Sequence, residues 1–317
     1  MPWLLSILGL VILLLAGDAL VKGAVNLSLR LGVPALIVSL TIVAFGTSAP
    51  ELLISIKAIL DDAPGIALGN VVGSNTANIL LVLGVPALLA TMHTSECNTR
   101  KTFNMMIAAS VIFILLALRG VYDAYAGFVL LACLVYVLFD AVCDTRKHRR
   151  DSKGMCAAGV EEPEGADPDM PGWRIAVFLV LGLVGLPLGA GLLVDNASVI
   201  ARAYGISDTV IGLTLVAIGT SLPELATTVM AALRRQADVA LGNVIGSNMF
   251  NLLGIIGVAS LVGPIEVDPQ FMRFDFWVML GASLLLIPFV YLRRDITRVW
   301  GIVLCGLYVL YLGAILI

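Results

Sequence analysis

Ten stretches of nearly unbroken apolar sequence follow one another along the chain. They fall near residues 3–21, 34–59, 66–91, 104–119, 122–143, 173–194, 207–233, 238–262, 275–292 and 298–317. Several of the connections between them are only a few residues long, as in helical hairpins. A helix that crosses a bilayer needs about 20 apolar residues. The runs are continuous rather than alternating, which argues against a transmembrane β-barrel. The pattern therefore predicts an all-α integral membrane protein with ten transmembrane helices. One long polar segment, about 144–172, divides it into two halves of five spans, 1–143 and 173–317.

Composition agrees. Of 317 residues, 60% are apolar and 13% charged, and mean hydropathy is +1.02. A soluble domain has about 45–50% apolar and about 25% charged residues, so an ordinary soluble fold is excluded and disorder still more firmly. The net charge of −3 gives no reason to expect a nucleic-acid partner. The five cysteines (Cys97, Cys133, Cys143, Cys156, Cys305) are scattered without a CxxC pair. Neither a structural metal site nor a disulfide framework is expected. Met1-Pro2-Trp3 lacks the basic start of a cleaved signal, so the first run is read as a retained helix.

Charge then orients the chain. With the N-terminus outside, 15 of the 19 Lys and Arg residues fall on the inner side. Only Lys57, Arg119, Arg202 and Arg273 remain outside. The positive-inside rule places both termini outside and the central loop in the cytoplasm. That loop begins basic (Arg146-Lys147-His148-Arg149-Arg150) and becomes acidic through Glu161, Glu162, Glu164, Asp167 and Asp169. It reads as a solvated linker whose basic end anchors the topology. A calcium-sensing loop is the alternative, although 29 residues are few for a folded regulatory domain.

The most polar spans repeat. Residues 41–84 and 214–257 align without a gap at an offset of 173, with 22 of 44 positions identical. Each half holds an odd number of spans, so the second copy enters the membrane from the opposite side. Inverted repeats of this kind build many secondary transporters, with the site near the midplane. The identities concentrate on Gly, Pro, Ser, Thr, Asn and Glu. In GTSAPE, Gly46 and Pro50 are expected to interrupt the second span, and Gly219 and Pro223 the seventh. Carbonyls freed at membrane depth are tolerated where they line a cavity or bind something.

Glu51 and Glu224 sit mid-span, just after these breaks. A charged carboxylate there costs about 3 kcal/mol on insertion scales and marks an ion pathway. Thr47, Ser48, Thr220 and Ser221 lie within a turn. Ser74 and Asn78, and likewise Ser247 and Asn251, follow their glutamates by 23 and 27 residues. The next helix folds back and returns them to similar depth, on one face. With no His or Cys in either repeat, this oxygen-only set suits Na⁺, Ca²⁺ or Mg²⁺. Asn70, Asn75, Asn243 and Asn248 read as packing residues. Gly69, Gly73, Gly242 and Gly246 form small-xxx-small faces for close helix contact. Asp18 and Lys22, four apart, are read as a pair at the inner end of the first span, and Asp195 as an interface residue.

At GTSAPE…GNVVGSNTAN and GTSLPE…GNVIGSNMFN the sequence resembles the cation/Ca²⁺ exchanger family, in particular the prokaryotic sodium/calcium exchangers. The ten-span layout fits too, so the likeness covers almost the whole chain. The resemblance implies a diamond of ion sites between spans two, three, seven and eight. Glu51 and Glu224 would bind both Ca²⁺ and Na⁺. Thr47, Ser48, Ser74, Thr220, Ser221 and Ser247 would add hydroxyl or carbonyl oxygens, and the backbone carbonyls of Ala44 and Ala217 would serve Na⁺. Spans one and six would slide as a pair across the other eight. Where an archaeal relative and the potassium-dependent branch carry Asp, this sequence has Asn251, and Asn78 is an amide as well. That argues for K⁺ independence and a pocket charge of −2.

The expectation is an inner-membrane Na⁺/Ca²⁺ antiporter with Ca²⁺ and Na⁺ as substrates, the bilayer as its surroundings, no cofactor and no protein partner. An H⁺/Ca²⁺ exchanger or an exchanger of Mg²⁺ or Mn²⁺ remains the alternative. A passive channel would not need inverted repeats. An intramembrane enzyme would need a nucleophile–base set or metal-ligating histidines, and His93 and His148 fall in or near the inner loops.

Overall fold

The structure is a computed structural model that describes residues 1–94, 97, 99–151, 167, 169–205 and 217–316, with the backbone alone described at 145–151, 217 and 316. It is almost wholly helical. The elements are α1 (Pro2–Leu31), α2 (Ala35–Thr47), α3 (Ala49–Leu60), α4 (Pro64–Leu89), α5 (Arg100–Ala117), α6 (Ala124–Asp151), α7 (Gly172–Ala203), α8 (Ala217–Thr220), α9 (Leu222–Leu233), α10 (Ala237–Val262), α11 (Phe271–Val290) and α12 (Arg298–Leu316). Eight helices are long and apolar enough to cross a membrane, and α2 with α3 forms a ninth span bent by 42°. The expected seventh span, 207–233, is described from 217 onward; its first part lies outside the described residues.

Three boundaries differ from the apolar pattern. The helix of the first span runs to Leu31 rather than stopping near 21, and that of the sixth runs to Ala203 rather than 194. Apolar runs end at the first charges, whereas a helix continues until its backbone is stopped. Here the stops are glycines in the left-handed region, Gly32 at φ 66° and Gly205 at φ 79°. Asp18, Lys22 and Asp195 therefore lie inside helices, not at their ends. The third difference is the start of the central linker, which is helical as far as Asp151. Its acidic part, 152–166 and 168, lies outside the described residues.

Helices α4 and α10 form the centre. They are 78% and 83% buried over their most apolar stretch, against 33% for α1 and 22% for α7 and α12. This explains why these two spans tolerate so many polar residues: the protein, not lipid, surrounds them. They touch through their asparagines. Asn78 Nδ2 donates to Asn248 Oδ1 at 3.1 Å, and Asn248 Nδ2 donates to Asn75 O at 3.3 Å. Asn75 and Asn248 are equivalent positions of the repeat.

Of the glycine faces expected for close contact, that of α10 behaves so. A Cβ at Gly242 would meet Leu36 O at 2.8 Å, and one at Gly246 would meet Leu40 O at 2.6 Å, so α2 crosses α10 in backbone contact. Gly69 and Gly73 of α4 meet only the Phe271 ring at 3.8 Å among the described residues. The repeat-equivalent partners, 209 and 213, lie outside them.

Helices α1 and α7 form a separate layer. They run antiparallel: Gly9 lies against Leu193, Leu13 against Gly189, Leu20 against Gly182 and Gly23 against Leu179. The contact is made of Gly and Ala packed on backbone. Two short pairings close the loops. Val121–Tyr122 and Ile265–Glu266 form an antiparallel pair joining the segments after α5 and α10. Met92 and Ile296 form a bridge joining those after α4 and before α12.

Candidate ion site

The two repeats break their helices in the same way. Ser48 separates α2 from α3 at φ −84°, ψ 4°, and Ser221 separates α8 from α9 at φ −86°, ψ 2°. The interruption thus falls on the serines. Pro50 and Pro223 stand in the first turn of the following helix, where a missing N–H costs nothing. Gly46 and Gly219 remain helical and do not break anything; they make room for α7. A Cβ on Gly46 would lie 2.0 Å from Leu183 Cδ2, and one on Gly219 2.6 Å from Val194 Cγ2.

Each break delivers a glutamate in the first turn of the next helix. Glu51 and Glu224 are each 1% exposed. Their carboxyl groups lie close enough to feel each other's charge. Among the described residues neither takes part in an ion pair. Oxygens crowd around them instead. Ser48 Oγ donates to Glu224 Oε1 at 3.2 Å, so the break of one repeat meets the carboxylate of the other. Ser247 Oγ reaches the same oxygen at 3.5 Å. Thr47 Oγ1 lies 3.5 Å from Ser247 Oγ and 3.3 Å from Ala44 O, to which it donates.

Part of the set is unsatisfied within the protein. Glu51 Oε2, Glu224 Oε2, Ser221 Oγ, Asn78 Oδ1 and both amide atoms of Asn251 are buried without a hydrogen-bond partner among the described residues. Buried polar atoms are nearly always paired. A group of orphans with two carboxylate oxygens among them fits a hard cation, which takes six to eight flexible oxygens when it is Ca²⁺.

The structure brings together Thr47, Ser48, Ser247 and Glu224 by direct contacts and buries Glu51, Ser74, Thr220 and Ser221 with them. Ala44 is buried, and its carbonyl also accepts from Ser48 N at 3.1 Å. Ala217 opens α8; its side chain lies outside the described residues. Asn78 is only partly available, because its amide N–H is committed to Asn248. Asn251 sits in a wide, π-helical turn over Phe250–Ile255, with both amide atoms free.

Residues not anticipated as part of the site support it from behind. Asn70 donates to Glu51 O and Ser55 Oγ, and Asn243 to Glu224 O and Thr228 Oγ1. Ser55 and Thr228 are equivalent in the two repeats and polar in both, a signal present in the alignment. Ser39 Oγ donates to Val239 O at 2.6 Å and ties α2 to α10. Asp275, 6% exposed, accepts from Tyr311 Oη at 3.3 Å, and no repeat equivalence marks it.

The same architecture occurs in known proteins. The family model described as sodium/calcium exchanger protein matches residues 1–142 and 174–317. The chain is 36% identical over 339 residues to sodium/calcium exchanger MaX1 of Methanosarcina acetivorans, covering 98% of this chain and 97% of that one. It is 33% identical over 313 residues to inner membrane protein YrbG of Escherichia coli, covering 98% and 95%. Among solved structures, the sodium-calcium exchanger NCX_Mj soaked with zero Na⁺ and Ca²⁺ superimposes with a TM-score of 0.83 at 32% identity, over 98% of each chain. With the repeated breaks, the paired glutamates and the central helices matched over nearly their full length, this chain belongs to the sodium/calcium exchanger protein family.

Proposed function

We propose that the chain is a secondary active antiporter exchanging Na⁺ for Ca²⁺ across the cell (inner) membrane by alternating access. The observation that carries this is the pair Glu51 and Glu224. They are buried, without a counter-cation among the described residues, at matched breaks of a repeated sequence, and each has an unpartnered carboxylate oxygen. Two carboxylates neutralise one Ca²⁺, and the hydroxyls and carbonyls around them suit Na⁺. Thr47, Ser48, Ser74, Asn78, Thr220, Ser221, Ser247 and Asn251, with the carbonyls of Ala44 and Ala217, are proposed to complete the ligand set. The names of MaX1 and NCX_Mj support the choice of ions.

Coupling follows from competition. Ca²⁺ and Na⁺ draw on the same oxygens, so Na⁺ entering down its gradient displaces Ca²⁺. Ten spans in two inverted halves give two states of similar energy, and the antiparallel α1–α7 layer is the part that slides. Both termini lie outside and the 144–172 linker lies in the cytoplasm, as the Lys and Arg bias indicates. With amides at 78 and 251 the pocket carries −2 and needs no K⁺. At about three Na⁺ per Ca²⁺, the ratio that the family likeness suggests, one charge crosses per cycle, worth about 2.3 kcal/mol per 100 mV.

The test is ⁴⁵Ca²⁺ uptake by proteoliposomes loaded with Na⁺. Uptake should require the Na⁺ gradient, respond to membrane potential, ignore replacement of K⁺ by choline, and vanish in Glu51→Gln and Glu224→Gln. Uptake driven by a pH gradient without Na⁺ would make the protein an H⁺/Ca²⁺ exchanger. Normal uptake in both glutamine variants would refute the site.

A further inference from the structure

A second site lies far from the glutamates. Between α5 and α11 runs a groove of about 740 Å³, lined by Asn104, Ala108, Val111, Leu284, Ile287 and Tyr291 among others. The small side chain of Ala108 opens it on the exposed face of α5. Along α5 it extends from Phe103 to Ile112, about 13 Å at 1.5 Å per residue. That is close to the roughly 15 Å depth of one leaflet's hydrocarbon.

Its mouth is polar and positive. Tyr291 Oη donates to Asn104 Oδ1 at 2.6 Å, and both residues are exposed. Such a pair suits the headgroup level, where Tyr is enriched. Arg100 is held there by three contacts: Nη2 donates to Tyr291 O at 3.2 Å, Nε donates to Val290 O at 3.5 Å, and the guanidinium lies 5.6 Å from the Tyr291 ring centre. Those bonds leave the remaining guanidinium N–H groups of Arg100 pointing elsewhere. Arg293 and Arg294 follow Tyr291 directly, are exposed, and enter no ion pair among the described residues. The nearby acids are already engaged. Asp140 and Asp144 hold Lys101 at 2.6 Å, and Asp295 holds His93 at 3.0 Å.

We propose that this groove binds an anionic phospholipid, with one acyl chain between α5 and α11 and the phosphate on Arg100, Arg293 and Arg294. An apolar channel of leaflet depth beneath a cluster of uncompensated guanidiniums matches the two ends of that molecule. Guanidinium takes phosphate in paired hydrogen bonds, and basic pockets between membrane helices hold anionic headgroups. A zwitterionic lipid brings its own cation to the same arginines and is disfavoured. Nothing in this site depends on which ions the protein carries.

The experiment is native mass spectrometry of the delipidated full chain titrated with phosphatidylglycerol or phosphatidylcholine of identical chains. Phosphatidylglycerol should bind at least tenfold more tightly to the wild type. The preference should disappear in the double variant Arg293→Gln/Arg294→Gln, and binding should weaken in Ala108→Phe, which fills the groove. Circular dichroism and gel-filtration elution check that both variants fold. Equal binding of the two lipids, or a preference that survives either variant, overturns the proposal. So does a dimer that Ala108→Phe dissociates, which would show a second copy covering the groove.

Discussion

Asn70 and Asn243 stand 173 residues apart and make the same pair of hydrogen bonds. Asn70 Nδ2 reaches Glu51 O at 3.4 Å and Ser55 Oγ at 3.2 Å; Asn243 Nδ2 reaches Glu224 O at 3.3 Å and Thr228 Oγ1 at 3.1 Å. Each asparagine thus pins the backbone of a glutamate from the helix that folds back beside it. Asn243 does more, since its Oδ1 also accepts from Thr47 Oγ1 at 3.4 Å.

Replacing either asparagine by alanine should loosen a glutamate without removing a charge. A lost buried hydrogen bond is worth about 1–2 kcal/mol, so the apparent Ca²⁺ affinity in uptake assays should fall roughly tenfold. Asn243→Ala should be the worse of the two, because it also frees Thr47. Two variants with wild-type affinity would mean that the breaks hold themselves.

Gly46 and Leu183 offer a test of the moving layer. A methyl group on Gly46 meets Leu183 Cδ2 at 2.0 Å, the far end of a flexible side chain. Gly46→Ala should therefore fold and bind Ca²⁺, yet α7 would catch on it as it slides. Exchange should slow about tenfold with little change in equilibrium ⁴⁵Ca²⁺ binding. Adding Leu183→Ala should restore the rate, the signature of a direct contact. If the double variant is as slow as Gly46→Ala alone, α7 does not move across this position.

Asp18 ties the two layers together. It pairs with Lys22 on its own helix at 3.0 Å and with Arg234, at the end of α9. The Asp18–Arg234 pair is half-buried and joins α1 to the turn before α10. Neutralising it in Asp18→Asn should cost the present arrangement about 1 kcal/mol, roughly a fivefold shift in population. Cysteine accessibility of residues lining the pathway, measured from each side of the membrane, should shift in favour of the opposite-facing state. No shift would make the pair a packing contact.

The site was legible in the sequence because it is repeated. Glu51, Thr47 and Ser48 and their counterparts stand out when the two copies are aligned, and the structure gathers Thr47, Ser48, Ser247 and Glu224 into contact. Which polar residues spend their capacity on each other was not legible. Asn78 has the same spacing from its glutamate as Asn251, yet its N–H goes to Asn248, because α4 and α10 cross there. The helix ends were missed for a related reason: a hydropathy pattern stops at Lys22 or Asp195, while the backbone stops at Gly32 and Gly205. The role of Gly46 was misread because a gap for a neighbouring helix and a helix break leave the same mark, a glycine among apolar residues.

Asn251 is the position where charge can be changed with least damage. It is fully buried, and neither amide atom has a partner among the described residues, so Asn251→Asp breaks no hydrogen bond there. What it alters is the pocket, from two carboxylates to three. Ligand charge is a main determinant of Ca²⁺ affinity. The variant should hold Ca²⁺ about tenfold more tightly, a change of about 1.4 kcal/mol, and release it more slowly. In Na⁺-driven uptake this predicts a lower Ca²⁺ KM together with a lower maximal rate. Asn78→Asp, whose amide N–H donates to Asn248 Oδ1, should instead set a carboxylate against a carbonyl oxygen and lower thermal stability. Identical kinetics for Asn251→Asp and wild type would place residue 251 outside the ion's coordination sphere.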